Sequence, residues 1–92
     1  MAFAAFFAAT PPMTKAQFDE INRRIDEIGH GHPVGRIFHV GYGNDDSIEV
    51  VDVWDNEENF NNFGAVLMPV LAEFGVDVGN PTIAPIQRIR PE

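Results

Sequence analysis

The chain contains no cysteine. Disulfides, thiol nucleophiles and cysteine-held zinc are therefore excluded. Basic residues are scarce: 6 Lys and Arg face 14 Asp and Glu, for a net charge of −8. Nucleic acid and anionic membranes are bound through clustered Lys and Arg, so neither is an expected partner. Long apolar runs are missing too. The opening MAFAAFFAAT is apolar, but it is too short to span a bilayer and lacks a basic leader, so it reads as neither signal peptide nor anchor. A cytoplasmic location is the default expectation. No repeat, linker or low-complexity tract interrupts the chain. What is present is 92 residues, 45% of them apolar, which suits one small domain over residues 1–92 with a modest core.

The stretch Gly35 to Trp54, GRIFHVGYGNDDSIEVVDVW, holds most of the residues able to do chemistry. Ile37–Tyr42 and Ile48–Trp54 are rich in β-branched and aromatic residues, and the turn formers 43–47 lie between them, so a β-hairpin is predicted. Side chains alternate faces along a strand. Phe38 and Val40 with Val51 and Val53 make an almost purely apolar face suited to packing against helices. The opposite face carries Ile37, His39, Gly41, Val50, Asp52 and Trp54. One imidazole, one carboxylate and one indole in an apolar surround is the composition of a small-molecule pocket. The loop length decides how His39 and Asp52 meet. A two-residue loop at Asp45-Asp46 sets them directly opposite, whereas a four-residue loop sets them diagonally, about 7–8 Å apart. The competing reading is a satisfied sheet histidine and a capping aspartate.

Before the hairpin, 2–9 is a strand candidate by length and by its three phenylalanines, although its alanines suit a helix equally. Thr14-Lys15-Ala16-Gln17 is a capping box, and Met13 and Phe18 stand at staple positions. Phe18, Ile21, Ile25 and Ile28 form a helical stripe that Gly29 ends. His30 and His32 sit at a metal-compatible spacing, but no third ligand accompanies them, and no metal site is assigned. After the hairpin, Asp55-Asn56-Glu57-Glu58 opens a second helix with Phe60, Phe63, Leu67, Val70 or Leu71, and Phe74 inward. Pro69 is expected to kink or split it near Met68. Thr82–Ile89 reads as a last strand, which Pro85 confines to an edge or a bulge.

The order strand, helix, strand, strand, helix, strand gives a ferredoxin-like α+β fold: a four-stranded antiparallel sheet with both helices on one face. The other face is then expected to expose Ile37, Val50, Trp54 and some of Phe3, Phe6 and Phe7. A patch of that extent calls for a partner, and a two-fold homodimer packed sheet to sheet around a cavity is expected.

The segment IEVVDVWDNEENFNNF, followed by LMPVLAEFGV and a short final strand, resembles the dimeric α/β-barrel superfamily near its antibiotic-biosynthesis-monooxygenase-like branch. The resemblance covers roughly Phe3 to Ile89 and implies a pocket between sheet and helices in each subunit. It also implies cofactor-free chemistry in several branches: monooxygenases of aromatic polyketides, and polyketide cyclases. The haem-degrading branch uses a helical histidine, and neither helix here contains His. The quinone-forming branch implies a role for Trp54. The cyclases imply a histidine base with a tyrosine partner, for which His39 and Tyr42 are the candidates, although they sit on opposite strand faces.

Three functions follow. The first is a cofactor-independent enzyme for an apolar or aromatic molecule, with His39 as general base, Asp52 orienting it and Trp54 stacking on substrate beside Ile37, Val50 and Tyr42. The second is a carrier using the same pocket without turnover. The third is a structural dimer. None requires a cofactor. Arg36 reads as a surface charge at a strand start that could also meet an anionic group, Arg88 and Arg90 as candidates to pair with a partner subunit, and the methionines as core.

Overall fold

The structure, a computed structural model, describes residues 1–90. Its elements run β1 (Phe3–Phe7), α1 (Lys15–Glu27), β2 (Arg36–Asn44), β3 (Ser47–Trp54), α2 (Glu57–Glu73) and β4 (Thr82–Pro85). The sheet order is β2-β3-β1-β4, with every neighbouring pair antiparallel. This is the ferredoxin-like arrangement.

Local chemistry fixes the helix starts. Thr14 Oγ1 accepts from the Gln17 amide at 3.1 Å, and the Thr14 amide donates to Gln17 Oε1 at 2.9 Å, so both halves of the capping box form. The hairpin end anchors this start: the Lys15 amide donates to the Asp45 carbonyl and the Ile48 amide to the Met13 carbonyl. Asn56 caps α2 by accepting from the Asn59 amide at 2.9 Å. Glu57 and Glu58 in the first turn suit the positive end of the helix dipole.

Two expectations about element extent change. Pro69 does not split α2, which continues to Glu73. Pro69 lies on the exposed side, so the carbonyl it cannot bond one turn earlier can face water. The last strand stops at Pro85 rather than Ile89; as the edge strand it tolerates a residue without an amide donor.

The larger correction concerns the faces of the sheet. Val50, Asp52 and Trp54 lie under the helices, with Trp54 fully buried, and are not on the open face. Phe3 and Phe7 accompany them, packing against Phe60. The face left open carries Phe6, Phe38, Val40, Tyr42 and Ile83, each more than two-fifths exposed. Aromatic bulk explains the inversion. The Trp54 ring meets Phe60 edge-on at 5.7 Å and Phe63 at 5.6 Å, which buries more area than the valines of the other face could. His39 and Asp52 on the covered face satisfy each other, which removes most of the penalty for burying them. Met13, Ile21, Ile25, Val50, Trp54, Phe63, Val70, Leu71, Val76 and Val78 form the core. Of the methionines, Met13 belongs to it, whereas Met1 and Met68 are exposed.

Candidate functional site

The hairpin closes through the two-residue loop Asp45-Asp46, with Asn44 opposite Ser47. Of the two registers open to the sequence, this is the one that sets His39 directly across from Asp52. The two side chains meet, with His39 Nδ1 2.6 Å from Asp52 Oδ1. Asp52 is 3% exposed, while the His39 side chain retains 28% of its exposure, so the pair runs from the core to the protein edge. A carboxylate can only accept hydrogen bonds. Assigning the Nδ1 hydrogen to this contact leaves the Nε2 lone pair free, the tautomer a general base requires.

The imidazole is held from a second side. The Phe18 ring stacks on it at 6.0 Å with 20° between planes. Gly41 makes this possible, because a Cβ at that position would collide with the Phe18 ring. Helix α1, placed by its cap, therefore completes the histidine's surroundings.

Behind the pair lies a cavity of about 70 Å3 between sheet and helices. His39, Asp52, Arg36, Asn22 and Asp26 are its polar edge, and Phe18, Ile21, Val50, Phe63 and Leu71 are among its apolar walls. That volume holds a few water molecules and is about half the roughly 150 Å3 that admits benzene to an apolar cavity. It continues outward. Asn22, Asp26, Gly31, Arg36 and His39 also border a surface depression of about 430 Å3 with His32, Pro33, Ile37 and Phe38. On the other side Asp52 borders a groove of about 230 Å3 with Trp54, Phe60, Asn61 and Asn80. The indole Nε1 of Trp54 is buried and is the only buried side-chain nitrogen or oxygen without a hydrogen-bond partner among the described residues. An unpaired buried donor costs about 1–3 kcal/mol, which an acceptor placed there would relieve.

The structure brings His39, Asp52, Val50 and Trp54 to one side of the sheet. It does not bring Ile37 or Tyr42 with them. The β2–β3 register shifts between Arg36 and Phe38, so Ile37 sits in a bulge and is 46% exposed, bordering only the outer depression. Tyr42 lies on the open face, away from the cavity. The same bulge turns Arg36 inward, correcting its reading as a surface charge. Its guanidinium stands 5.4 Å over the Phe63 ring and donates to the Gly31 carbonyl at 2.9 Å. Burial lowers its pKa, and the nearby carboxylates of Asp52 and Asp26 partly restore it. Alternation alone cannot reveal Arg36, because a bulge reverses parity. The available signal was Gly35, the residue before it, whose φ of 88° marks irregular backbone.

His30 and His32 gain no third ligand: among the described residues no three His, Asp or Glu side chains cluster as a metal site would require. No described helix is long and apolar enough to cross a membrane.

No family model and no curated protein matches the chain. Among solved structures, the fold matches SnoaB, a cofactor-independent oxygenase from Streptomyces nogalater. The match has a TM-score of 0.64 and covers 99% of this chain and 96% of that one. The two chains share a fold. At 16% identity the likeness extends to architecture and not to individual residues.

Proposed function

We propose that this protein is a cofactor-independent enzyme acting on an apolar or aromatic small molecule, with His39 as its general base and Asp52 as the group that orients it. The observation that carries this reading is the 2.6 Å contact between His39 Nδ1 and a buried carboxylate at the edge of a cavity. The unpaired Trp54 donor supports a ligand, and the fold of SnoaB agrees with the class of chemistry.

The reaction is written for an aromatic ketone with an activated methylene. His39 Nε2 removes one proton, and the carbanion charge spreads onto the ketone oxygen. Dioxygen then oxidises the carbon: one oxygen atom becomes the new carbonyl, and the other leaves as water with the two methylene hydrogens. In a substrate that carries a second carbonyl, the same carbanion adds to that carbonyl carbon without oxygen: its C=O π bond opens, the resulting alkoxide takes the proton back from His39, and the ring closes, which is the cyclase variant.

The inner space is smaller than such a ring, so turnover requires Phe18 or Leu67 to move, or the ring to sit in the outer depression with only its reacting edge inside. Oxygen uptake with a panel of aryl ketones and phenols tests the reading. His39→Ala should abolish uptake supported by the wild type, and unchanged uptake would reject His39 as the base.

We further propose a two-fold homodimer through the open sheet face around Phe38, Val40 and Tyr42. That face leaves Phe6, Phe38, Val40, Tyr42 and Ile83 each more than two-fifths exposed, an apolar patch that a second copy of the chain would cover. The small cavity also favours a second reading, a dimer whose role is structural, which recovery of ligand from the native protein would exclude.

A further inference from the structure

We propose that the Arg36 guanidinium is the oxyanion-binding group of this site, so that the ligand class is a phenol or an enolisable aryl ketone. The assignment rests on geometry. Arg36 and His39 are an odd number of residues apart and would face opposite ways on a regular strand. The bulge at Ile37 turns both toward the same space, and they border both the inner cavity and the outer depression. Arg36 is under-used where it stands. The one hydrogen bond of its guanidinium goes to the Gly31 carbonyl, and no carboxylate lies within salt-bridge distance of it among the described residues. The Phe63 ring beneath it and the Gly31 contact hold its plane still, leaving its other donors for an oxygen ligand.

The charges around it fit an anion formed in place. Asp26 and Asp52 act on Arg36 from a distance, and His32 and His39 are the other titratable side chains at the mouth. When a neutral ligand gives its proton to His39, two opposite charges appear. Asp52 faces the imidazolium, and Arg36 faces the oxyanion. A cation held in a partly apolar wall, with no carboxylate bonded to it, is most effective against charge that develops during reaction. The catalytic meaning of this assignment rests on His39 as base; the binding preference does not.

The test uses 4-nitrophenol, whose neutral and ionised forms differ in colour, at a pH below that at which the free probe ionises. With a net charge of −8 the protein as a whole repels anions, so capture of the ionised form requires a local cation. Wild type should bind the phenolate. Arg36→Gln should bind about tenfold or more weakly and take the neutral form, and Arg36→Lys should fall between because it keeps the charge and loses the planar fork. Thermal melts check folding, and Arg36→Lys decides the matter if Arg36→Gln does not fold. Binding of the neutral probe by wild type, no binding, or a wild-type preference in the folded variants would overturn the assignment. His39→Ala separates the two claims. Phenolate capture retained in this variant, with no turnover in wild type, leaves the anion site standing and removes the base. Turnover undiminished in Arg36→Lys and Arg36→Gln does the reverse.

Discussion

Replacing His39 by alanine should destabilise the fold, and additional removal of Asp52 should restore part of the loss. The Asp52 carboxylate is buried, and its one hydrogen bond among the described residues is to His39 Nδ1. Removing one partner from a fully buried charged pair costs about 3–5 kcal/mol, mainly because the other is left uncompensated. Here the histidine side chain is 28% exposed, so its removal admits water beside the carboxylate. Discounted for that solvent, the expected loss for His39→Ala is about 2–3 kcal/mol. Asp52→Val leaves a partly exposed imidazole that water can satisfy, and it should cost about 1 kcal/mol or less. The double variant should be more stable than His39→Ala by at least about 1 kcal/mol, because no orphaned charge remains. Urea unfolding measures all four proteins. Trp54, the sole tryptophan and fully buried, reports the transition by fluorescence. At a slope of about 1 kcal/mol per molar urea, the His39→Ala midpoint should fall by about 2–3 M. Protein concentration must be held fixed, since association would shift every midpoint. A double variant whose loss equals or exceeds the sum of the single losses would refute the reasoning.

Other perturbations probe separate parts of the structure. Thr14→Ala removes the side-chain half of the α1 cap and should cost about 1 kcal/mol in the same urea assay. Gly41→Ala drives a methyl into the Phe18 ring; it should cost about 1–3 kcal/mol, and the His39 ring resonances should shift as the stacked ring moves. Val40→Lys places a charge on the open sheet face; if that face is a dimer interface, sedimentation should find the wild type a dimer and the variant a monomer. Trp54→Phe removes the unpaired donor at a cost in core packing, so if that donor serves a ligand the folded variant should bind an aryl ketone several-fold more weakly.

The fold was legible where local chemistry acts alone. Thr14 and Gln17 announce a capping box that forms in both halves, the turn formers 43–47 announce the hairpin turn but not its length, and Gly29 and Gly75 follow the last helical turns with positive φ. The meeting of His39 and Asp52 followed from parity once the loop was two residues long. What strand alternation could not supply was which face the helices choose. Counting polar residues gave them the cleaner Val51 and Val53 face, but Trp54 offered more area to Phe60 and Phe63, and the polar pair cancelled its own cost. The bulge at Ile37 was equally hidden, because it depends on pairing with β3. It exchanged the expected Ile37 for Arg36 at the site. Pro69 misled in the same way: its effect depends on whether the carbonyl it strands can face water, which the linear sequence does not show.

Solvent exchange at the reacting carbon tests the base most directly. An aryl ketone deuterated at its activated methylene would be incubated with the protein in ordinary water without oxygen, and label loss followed by mass spectrometry. A base at His39 requires the wild type to wash out deuterium faster than buffer, His39→Ala to match buffer, and Asp52→Asn to fall between. Equal wash-out by wild type and His39→Ala would contradict proton abstraction by this histidine.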